Sequence, residues 1–382
     1  MTSTETGATW SDRLNPRNWT LVWKLAVVGL LPALLALVLG VLRVADQAGD
    51  AADLGRSTRL LEVQAQVSAA ANALREERNE ATLFVADARG GDRGVLEIGF
   101  GKTDETVGQM LNTVRSATEL DATTISALQQ AESELAKLAV LRADTTDNQA
   151  AGINQIRGRY TDLVEGIDVL DRALLRQLRT PGTAGLADAL SAVTSANEQL
   201  AIQHTVLATG IKASQLQPGD ANTVSATDNQ LTADYREYQV ALTPDQLTRF
   251  GNFLDDAANS QRERLKAAIL ATPPDRPINL APTEWDTAYN GSRAAAERSA
   301  EMLRGELVTQ SGAAEEAASN EAGIQSVILM LGLLAGITVA VLVARALIRS
   351  LRVLRSAALD VAERRLPQAV ESMRAGESPD VA

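Results

Sequence analysis

The chain contains no cysteine, and this absence removes three kinds of chemistry at once. Disulfides, zinc sites built on thiolates and cysteine nucleophiles are all excluded. Any exported domain in this chain must therefore be held together by its apolar core, for which 382 residues are enough.

Histidine is almost absent as well, since His204 is the only one in the chain. A receptor kinase needs a phosphate-accepting histidine beside a nucleotide-binding domain, and a Ser-His-Asp hydrolase would have to use this single residue. The chain has no glycine-rich phosphate loop and no dinucleotide-binding fingerprint. We therefore expect a protein that is not an enzyme and that uses no cofactor and no metal.

Aromatic residues make up 3% of the chain, and runs of β-branched residues are rare, so strands are poorly supported. Apolar residues recur instead at spacings of three and four, which is the period of an amphipathic helix. We expect an all-α fold of up-and-down helical bundles whose first and last helices enter a membrane. The predicted helices cover residues 60–84, 96–117, 122–141, 153–178, 186–211, 224–241 and 244–270, and a last one begins at 283.

Two apolar segments, 25–42 and 327–344, each hold 18 residues without an ionisable side chain. Such a helix is roughly 27 Å long, about the thickness of the hydrocarbon core of a bilayer. A cleaved signal peptide is the competing interpretation of the first segment, but its length and the presence of a second segment favour a membrane span. The sequence therefore predicts a two-span membrane protein.

Basic residues flank both spans on the outer ends of the chain, and such residues stay in the cytoplasm. Residues 1–24 carry a net charge of +1 and residues 345–382 carry +2. Because the whole chain carries −12, the central part carries −15. This balance argues against nucleic acid as a partner and places the central domain outside the cell membrane, with both termini cytoplasmic. The predicted parts are a tail (1–24), a span (25–42), an extracytoplasmic helical domain (43–326), a second span (327–344) and a cytoplasmic segment (345–382).

The cytoplasmic segment contains apolar residues at 351, 354, 358 and 361, which is the spacing of a short parallel coiled coil. We therefore expect a homodimer in contact with membrane lipid.

Glu77 and Arg78 interrupt the apolar face of the first extracytoplasmic helix. Arg75 and Arg78 are three residues apart and so lie on one face. One interpretation is an internal salt bridge or a solvated flank. The other is a binding site for an oxyanion, because a planar guanidinium matches the oxygens of a planar anion.

The stretch 73–82, which reads ALREERNEAT, resembles the Leu-Gln-x-Glu-Arg signature of the nitrate- and nitrite-sensing (NIT) domain family. Segments 195–199, 203–204 and 282–285 are similar to later parts of the same domain, and 350–367 is similar to the HAMP-like linker of actinobacterial sensor histidine kinases. In this resemblance Arg78 falls on the signature arginine. Arg75 stands where glutamine is usual, and His204 stands where relatives often have arginine.

The resemblance implies an all-helical receptor that holds nitrate or nitrite between helices. Such receptors usually continue into an ATPase domain, which this sequence does not contain, so we expect either a truncated product or a receptor that signals through a separate partner. The residues it implies for ligand binding are Arg75, Arg78, Gln203 and His204. Protonation of His204 below about pH 6.5 would make binding pH-gated. The expected function is a sensor subunit that passes a helix shift to a cytoplasmic kinase or another signalling protein. The alternative is a structural or protein-docking ectodomain without a small ligand. A membrane-anchored hydrolase is a third hypothesis, but the sequence offers no catalytic cluster for it.

Overall fold

The computed structural model describes residue 38 and residues 56–179, 182–254 and 257–360. Every regular element in these ranges is an α-helix, which confirms the all-α prediction for this part of the chain. The chain divides into two compact units, Ala52–Glu316 and a second one made of Met1–Ala51 with Ala317–Ala382. Within the described ranges the helices are α1 (56–86), α2 (Arg93–Ser116), α3 (Ala122–Leu135), α4 (Leu138–Asp147), α5 (Ile153–Gln177), α6 (Ala184–Lys212), α7 (Asp220–Ala241), α8 (Pro244–Phe250), α9 (Ala257–Leu270) and α10 (Pro282–Asp360).

Side-chain caps start several of these helices where the sequence predicts them. The Asp121 carboxylate accepts from the N–H of Thr124 at the start of α3. Thr243 and Gln246 form a reciprocal capping box at α8, where Pro244 occupies the first turn. Helix α2 begins earlier than predicted because Asp92 caps it by accepting from the N–H of Gly94.

Two of the predicted helices, 122–141 and 244–270, are each divided in the structure. The first is interrupted between α3 and α4, where the N–H of Lys137 bonds to the carbonyl of Glu134 and so tightens the helix by one residue. The second ends at Gly251, whose φ of 75° is a left-handed conformation that terminates α8. Both breaks arise from local backbone geometry and leave the apolar period nearly unchanged.

The main core of the unit Ala52–Glu316 includes buried residues of α1, α5, α6 and α10, with further ones from α2, α3, α4 and α7, as expected for a helical bundle. Leu74, Ile167, Leu190 and Leu303 are fully buried in it, one from each of these helices. A second apolar cluster surrounds Trp285 and includes residues of α6, α7 and α9. Charged side chains are buried among these packed helices as well.

A turn after α1 ties this helix to the connection between α4 and α5. Ala88 and Arg89 both have positive φ angles, of 53° and 62°. The Arg89 guanidinium donates to the carbonyl oxygens of Thr145, Asn148 and Ala151, at 3.0, 2.7 and 2.8 Å. These bonds satisfy carbonyl groups that the end of α4 leaves without helical partners.

The second unit contains one helix segment long and apolar enough to cross a membrane within the described residues. It covers Met330–Ser356 with a mean hydropathy of 2.3, and none of its most apolar window is buried. This segment overlaps the predicted span 327–344. The predicted span 25–42 lies outside the described residues apart from residue 38, so the two-span topology stays a prediction.

Two glycines of α10 provide a test of this packing. A Cβ at Gly291 would lie 2.5 Å from the Cβ of Ala258, whereas a Cβ at Gly305 would meet no atom within 4 Å. We expect Gly291→Ala to destabilise the protein by about 1–3 kcal/mol through this clash. Gly305→Ala should stabilise it by about 0.5–1 kcal/mol, because alanine is the better helix former. Chemical denaturation measures both, and equal effects of the two substitutions would contradict the packing of α10.

Candidate functional site

Charged residues on the inner face of α1 are buried in the bundle. Arg78 has no exposed surface, and Glu77 and Arg75 are 1% and 6% exposed. A buried charge without a partner would be strongly destabilising, so each of these groups must meet an opposite charge. They do so in two separate clusters, which excludes a solvated flank.

Two arginines and two carboxylates from α1, α5 and α6 form what we call the four-charge cluster: Arg75, Arg78, Asp168 and Glu198. Arg75 donates through Nη2 to both Asp168 oxygens at 2.7 and 3.0 Å, and through Nε to Glu198 at 2.7 Å. Arg78 donates through Nη1 to the other Glu198 oxygen at 2.6 Å. Glu198 is therefore held between both arginines, whereas among the described residues Asp168 accepts bonds from Arg75 and from no other side chain.

The two carboxyl groups of this cluster differ in acidity. Burial works against ionisation of Glu198, but the charges of Arg78 and Arg75 outweigh it and lower its pKa. Burial raises the pKa of Asp168 to about 7, against the opposing charge of Arg75. Burial also raises the pKa of Asp171, one turn further along α5, to about 6. Asp168 is therefore the more easily protonated acid of the cluster.

Glu77 belongs to the second cluster and faces away from the first. Its carboxylate accepts two bonds of 2.8 Å from Arg142 and one of 2.8 Å from the hydroxyl of Tyr160. Arg142 also donates to Asp104 at 2.7 Å. Both oxygens of Glu77 are thus engaged, which makes this cluster a structural tie between α1, α2, α4 and α5.

A cavity of about 250 Å³ opens between α1, α6 and α10, and we call it the three-helix cavity. It brings together positively charged, amide and aromatic side chains with three carboxylates near them. The polar lining residues are Asn72, Arg75, Glu76, Asn79, Glu80, Asn197, His204, Thr205, Asp286, Tyr289, Asn290 and Arg293.

Several polar atoms at this cavity have no hydrogen-bond partner among the described residues. They include Oδ1 of Asn79, Oδ1 of Asn197 and Nδ1 of His204, all of them buried. Buried polar atoms are usually paired, so a cluster of unpaired ones indicates room for a bound polar molecule. The cavity is therefore the strongest candidate for a ligand site in this part of the chain.

Two arginines contribute donors to the cavity from opposite helices. Nη1 of Arg75 carries two N–H groups and makes one bond among the described residues, of 2.9 Å to Asn72. Arg293 donates through Nη1 to Glu297 at 2.9 Å and to Glu76 at 3.5 Å, and its Nε and Nη2 make no bond among the same residues. Its side chain is 34% exposed, so Arg293 can reorient more easily than the buried Arg75.

His204 is held rigidly at the wall of the cavity. Its ring stacks on Tyr289 with 3.8 Å between the centroids and 6° between the planes. Burial lowers the pKa of His204 to about 3, and the charges of Arg293 and Arg78 act in the same direction. The imidazole is therefore neutral throughout the physiological range. The expectation that it becomes cationic near pH 6.5 is wrong for the free protein, because that value applies to a solvated ring.

Comparison with protein families matches residues 69–308 to the NIT family, described as nitrate and nitrite sensing. The chain belongs to the NIT family. The match begins inside α1 and ends inside α10, so it includes both the four-charge cluster and the three-helix cavity.

The solved structure of the NasR transcription antiterminator is similar to this chain in fold, with a TM-score of 0.61 and 15% sequence identity. The similarity covers 82% of this chain and 87% of that chain. A comparison with curated proteins finds no match. The family assignment therefore rests on the NIT domain, and the NasR structure supports its helical fold.

The NIT domain separates the four residues that the sequence groups as ligand-binding. Arg75 and His204 line the three-helix cavity, whereas Arg78 and Gln203 are absent from its lining. Arg78 lies beside the cavity-lining Arg75 through their shared partner Glu198. Gln203 faces another way, since its amide donates to Asp228 at 2.6 Å and accepts a bond from Arg262. One residue step on α6 turns the side chain by about 100°, which explains why neighbours 203 and 204 diverge.

Arg293 and the asparagines are lining residues that sequence reasoning missed. Asn79 and Asn197 lie within the two segments that resemble the family, so a signal for them was present. Arg293 had none, because it reaches the cavity from a helix more than 200 residues further along the chain than Arg75.

The depressed pKa of His204 predicts how stability changes with pH. Because the folded-state pKa of about 3 lies below the unfolded value of 6.5, the unfolded state binds the proton first as pH falls. The contribution of His204 is complete above about pH 7 and should be smaller by about 2 kcal/mol at pH 5. We expect His204→Asn to remove this part of the pH dependence. Denaturation curves between pH 4.5 and 8 measure it, and parallel profiles of the two proteins would contradict the assignment.

Proposed function

We propose that this chain is a membrane sensor that binds nitrate or nitrite in the three-helix cavity. The observation that carries the proposal is the convergence of Arg75, His204 and Arg293 on one cavity from α1, α6 and α10. Membership of the NIT family supports nitrate and nitrite as the ligand class. The sensor acts by binding and carries out no catalysis of its own.

The donors at the cavity suit a small planar anion. Arg75 and Arg293 have N–H groups without partners among the described residues, and a guanidinium donates in the plane in which nitrate accepts. Neutral His204 keeps one ring N–H as a further donor. Asn197 adds an amide that can present its NH₂ by rotating. Together these groups replace the hydration of an anion from three sides.

The surroundings of the cavity oppose anions in general, which favours selective binding. Glu76, Glu80 and Asp286 line the same cavity, and burial raises the pKa of Glu80 and of Asp286. The whole chain carries a net charge of −12, so its mean field repels anions as well. Binding must therefore depend on short, directed hydrogen bonds, which halides use poorly because they have no planar set of oxygens.

Helix α10 provides the route for a signal. It carries Arg293 and continues to Asp360, and the same helix includes the apolar segment Met330–Ser356. An anion that bridges Arg75 and Arg293 stabilises one position of α10 against α1, and a ligand with different affinities for two positions shifts the equilibrium between them. On this proposal both termini are cytoplasmic, and the HAMP-like segment 345–382 passes the shift to a kinase or another signalling protein.

A protein-docking ectodomain without a small ligand is the second candidate. It is favoured by the four-charge cluster, in which Arg75 and Arg78 already have carboxylate partners. In that case the arginines are structural and the cavity holds only water.

Anion-dependent melting of the full chain in detergent separates these two functions. At 100 times the dissociation constant, nitrate or nitrite should add about 2.7 kcal/mol to the stability, whereas chloride at the same ionic strength should not. Arg293→Gln should abolish most of this gain. The control is Arg115→Gln, which removes an exposed arginine that is also paired with a glutamate, Glu132.

The outcomes of this experiment are distinct. A gain that Arg293→Gln removes and Arg115→Gln keeps supports the sensor. An equal gain with chloride, or no gain with any anion, would favour the docking ectodomain and leave Arg75 and Arg78 as structural residues.

The proposed dimer has its own test, because a chain without cysteine allows single cysteines to be placed at will. Leu354 is part of the predicted coiled-coil face, and its neighbour Val353 is not; both are exposed in the single chain. We expect Leu354→Cys to form a disulfide-linked dimer under mild oxidation in membranes, and Val353→Cys to form much less. Equal cross-linking of the two variants, or none, would argue against the parallel coiled coil.

A further inference from the structure

The four-charge cluster is neutral when both of its carboxyl groups are ionised, and a neutral cluster has no spare positive charge for an anion. Two guanidinium groups balance two carboxylates, and the whole set is buried. A monoanion on Arg75 competes with Asp168 and Glu198 for the same positive charge. Arg293 does not supply the missing positive charge, because Glu297 and Glu76 already share its own. The anion would therefore leave one uncompensated negative charge, which is strongly unfavourable in the interior.

The groups around Asp168 determine how that charge can be compensated. Arg75 reaches it from α1 and Glu198 lies opposite on α6, while Asp171 and Arg172 flank it on α5. Beyond Asp171 the polar contacts continue to α1 and α10. Gln64 donates to Asp171 at 2.8 Å and accepts from Arg304 at 2.9 Å.

We propose that binding of the anion in the three-helix cavity is coupled to the uptake of one proton by the Asp168 carboxyl group. The inference rests on the proposed function and adds a regulator to it. A proton from solvent adds to one carboxylate oxygen and no covalent bond breaks. The bound state then contains the two arginines balanced by Glu198 and the anion, with Asp168 neutral.

Asp168 is the acid that takes this proton because it is the less firmly held of the two. Glu198 accepts from both arginines, and their charges keep its pKa low. Within the described part of the chain Asp168 accepts from one arginine, Arg75, and it has the Asp171 carboxyl one turn away. Burial already raises the pKa of Asp168 to about 7, and an anion on Arg75 would raise it further.

The coupling sets the direction of a pH effect. Well below pH 7 Asp168 is protonated with or without the anion, so affinity should not change with pH. Above pH 7 each binding event must take up a proton, and affinity should fall by up to about tenfold per pH unit. Nitrate itself stays a monoanion throughout, so the change belongs to the protein.

Calorimetric titration of the full chain with nitrate at pH 8, in buffers of different ionisation enthalpy, counts the protons directly. We expect an uptake approaching one proton for each nitrate. Asp168→Asn, which imitates the neutral acid, should bind nitrate without proton uptake and with an affinity that is level from pH 6 to 8.5. Asp162→Asn, which changes the same charge at an exposed position of α5, should behave as the wild type.

Each outcome bears on a different claim. Nitrate binding without proton uptake, or an unchanged pH slope in Asp168→Asn, would overturn the coupling and leave the sensor intact. Absence of nitrate binding at every pH would overturn the proposed function and the coupling together. If Asp168→Asn fails to fold, the buffer dependence of the wild type still decides.

Discussion

The burial of Arg75 and Arg78 on the inner face of α1 is the constraint on which the rest of the domain depends. Two adjacent buried guanidinium groups without opposite charges would be strongly destabilising, and α5 supplies Asp168 and α6 supplies Glu198 to balance them. Apolar packing alone would allow these helices to slide by a turn. The bidentate contact of Arg75 with Asp168 sets their register.

The cavity lies beside these buried charges. Arg75 bonds to α5 and α6, and the neighbouring surface of α1 presents asparagines and glutamates to the cavity that α10 also lines. The fixed part of the site thus comes from α1 and α6, whereas the more exposed Arg293 comes from α10. A site that combines buried side chains with the more exposed Arg293 suits a receptor, because Arg293 lies on the helix that carries the proposed signal.

The sequence predicts the elements better than it predicts their contacts. Helix α5 begins at the predicted Ile153, and the caps at Asp121 and Thr243 are where local chemistry places them. The breaks after α3 and α8 escape prediction because apolar spacing continues across them. Of the residues predicted to bind a ligand, Arg75 and His204 line one cavity, and their role in binding stays a prediction. Gln203 points away from the cavity because consecutive residues of α6 face different directions. No local sequence pattern could predict Arg293, because only tertiary packing brings α10 next to α1.

The central claim is that a planar anion occupies the three-helix cavity between Arg75 and Arg293. A crystal structure of the full chain grown with nitrate tests it most directly. We expect density for a planar three-oxygen group within hydrogen-bonding distance of both guanidinium groups, with Arg293 turned away from Glu297. A cavity that contains only water, with Arg293 still paired to Glu297 at saturating nitrate, would contradict the claim.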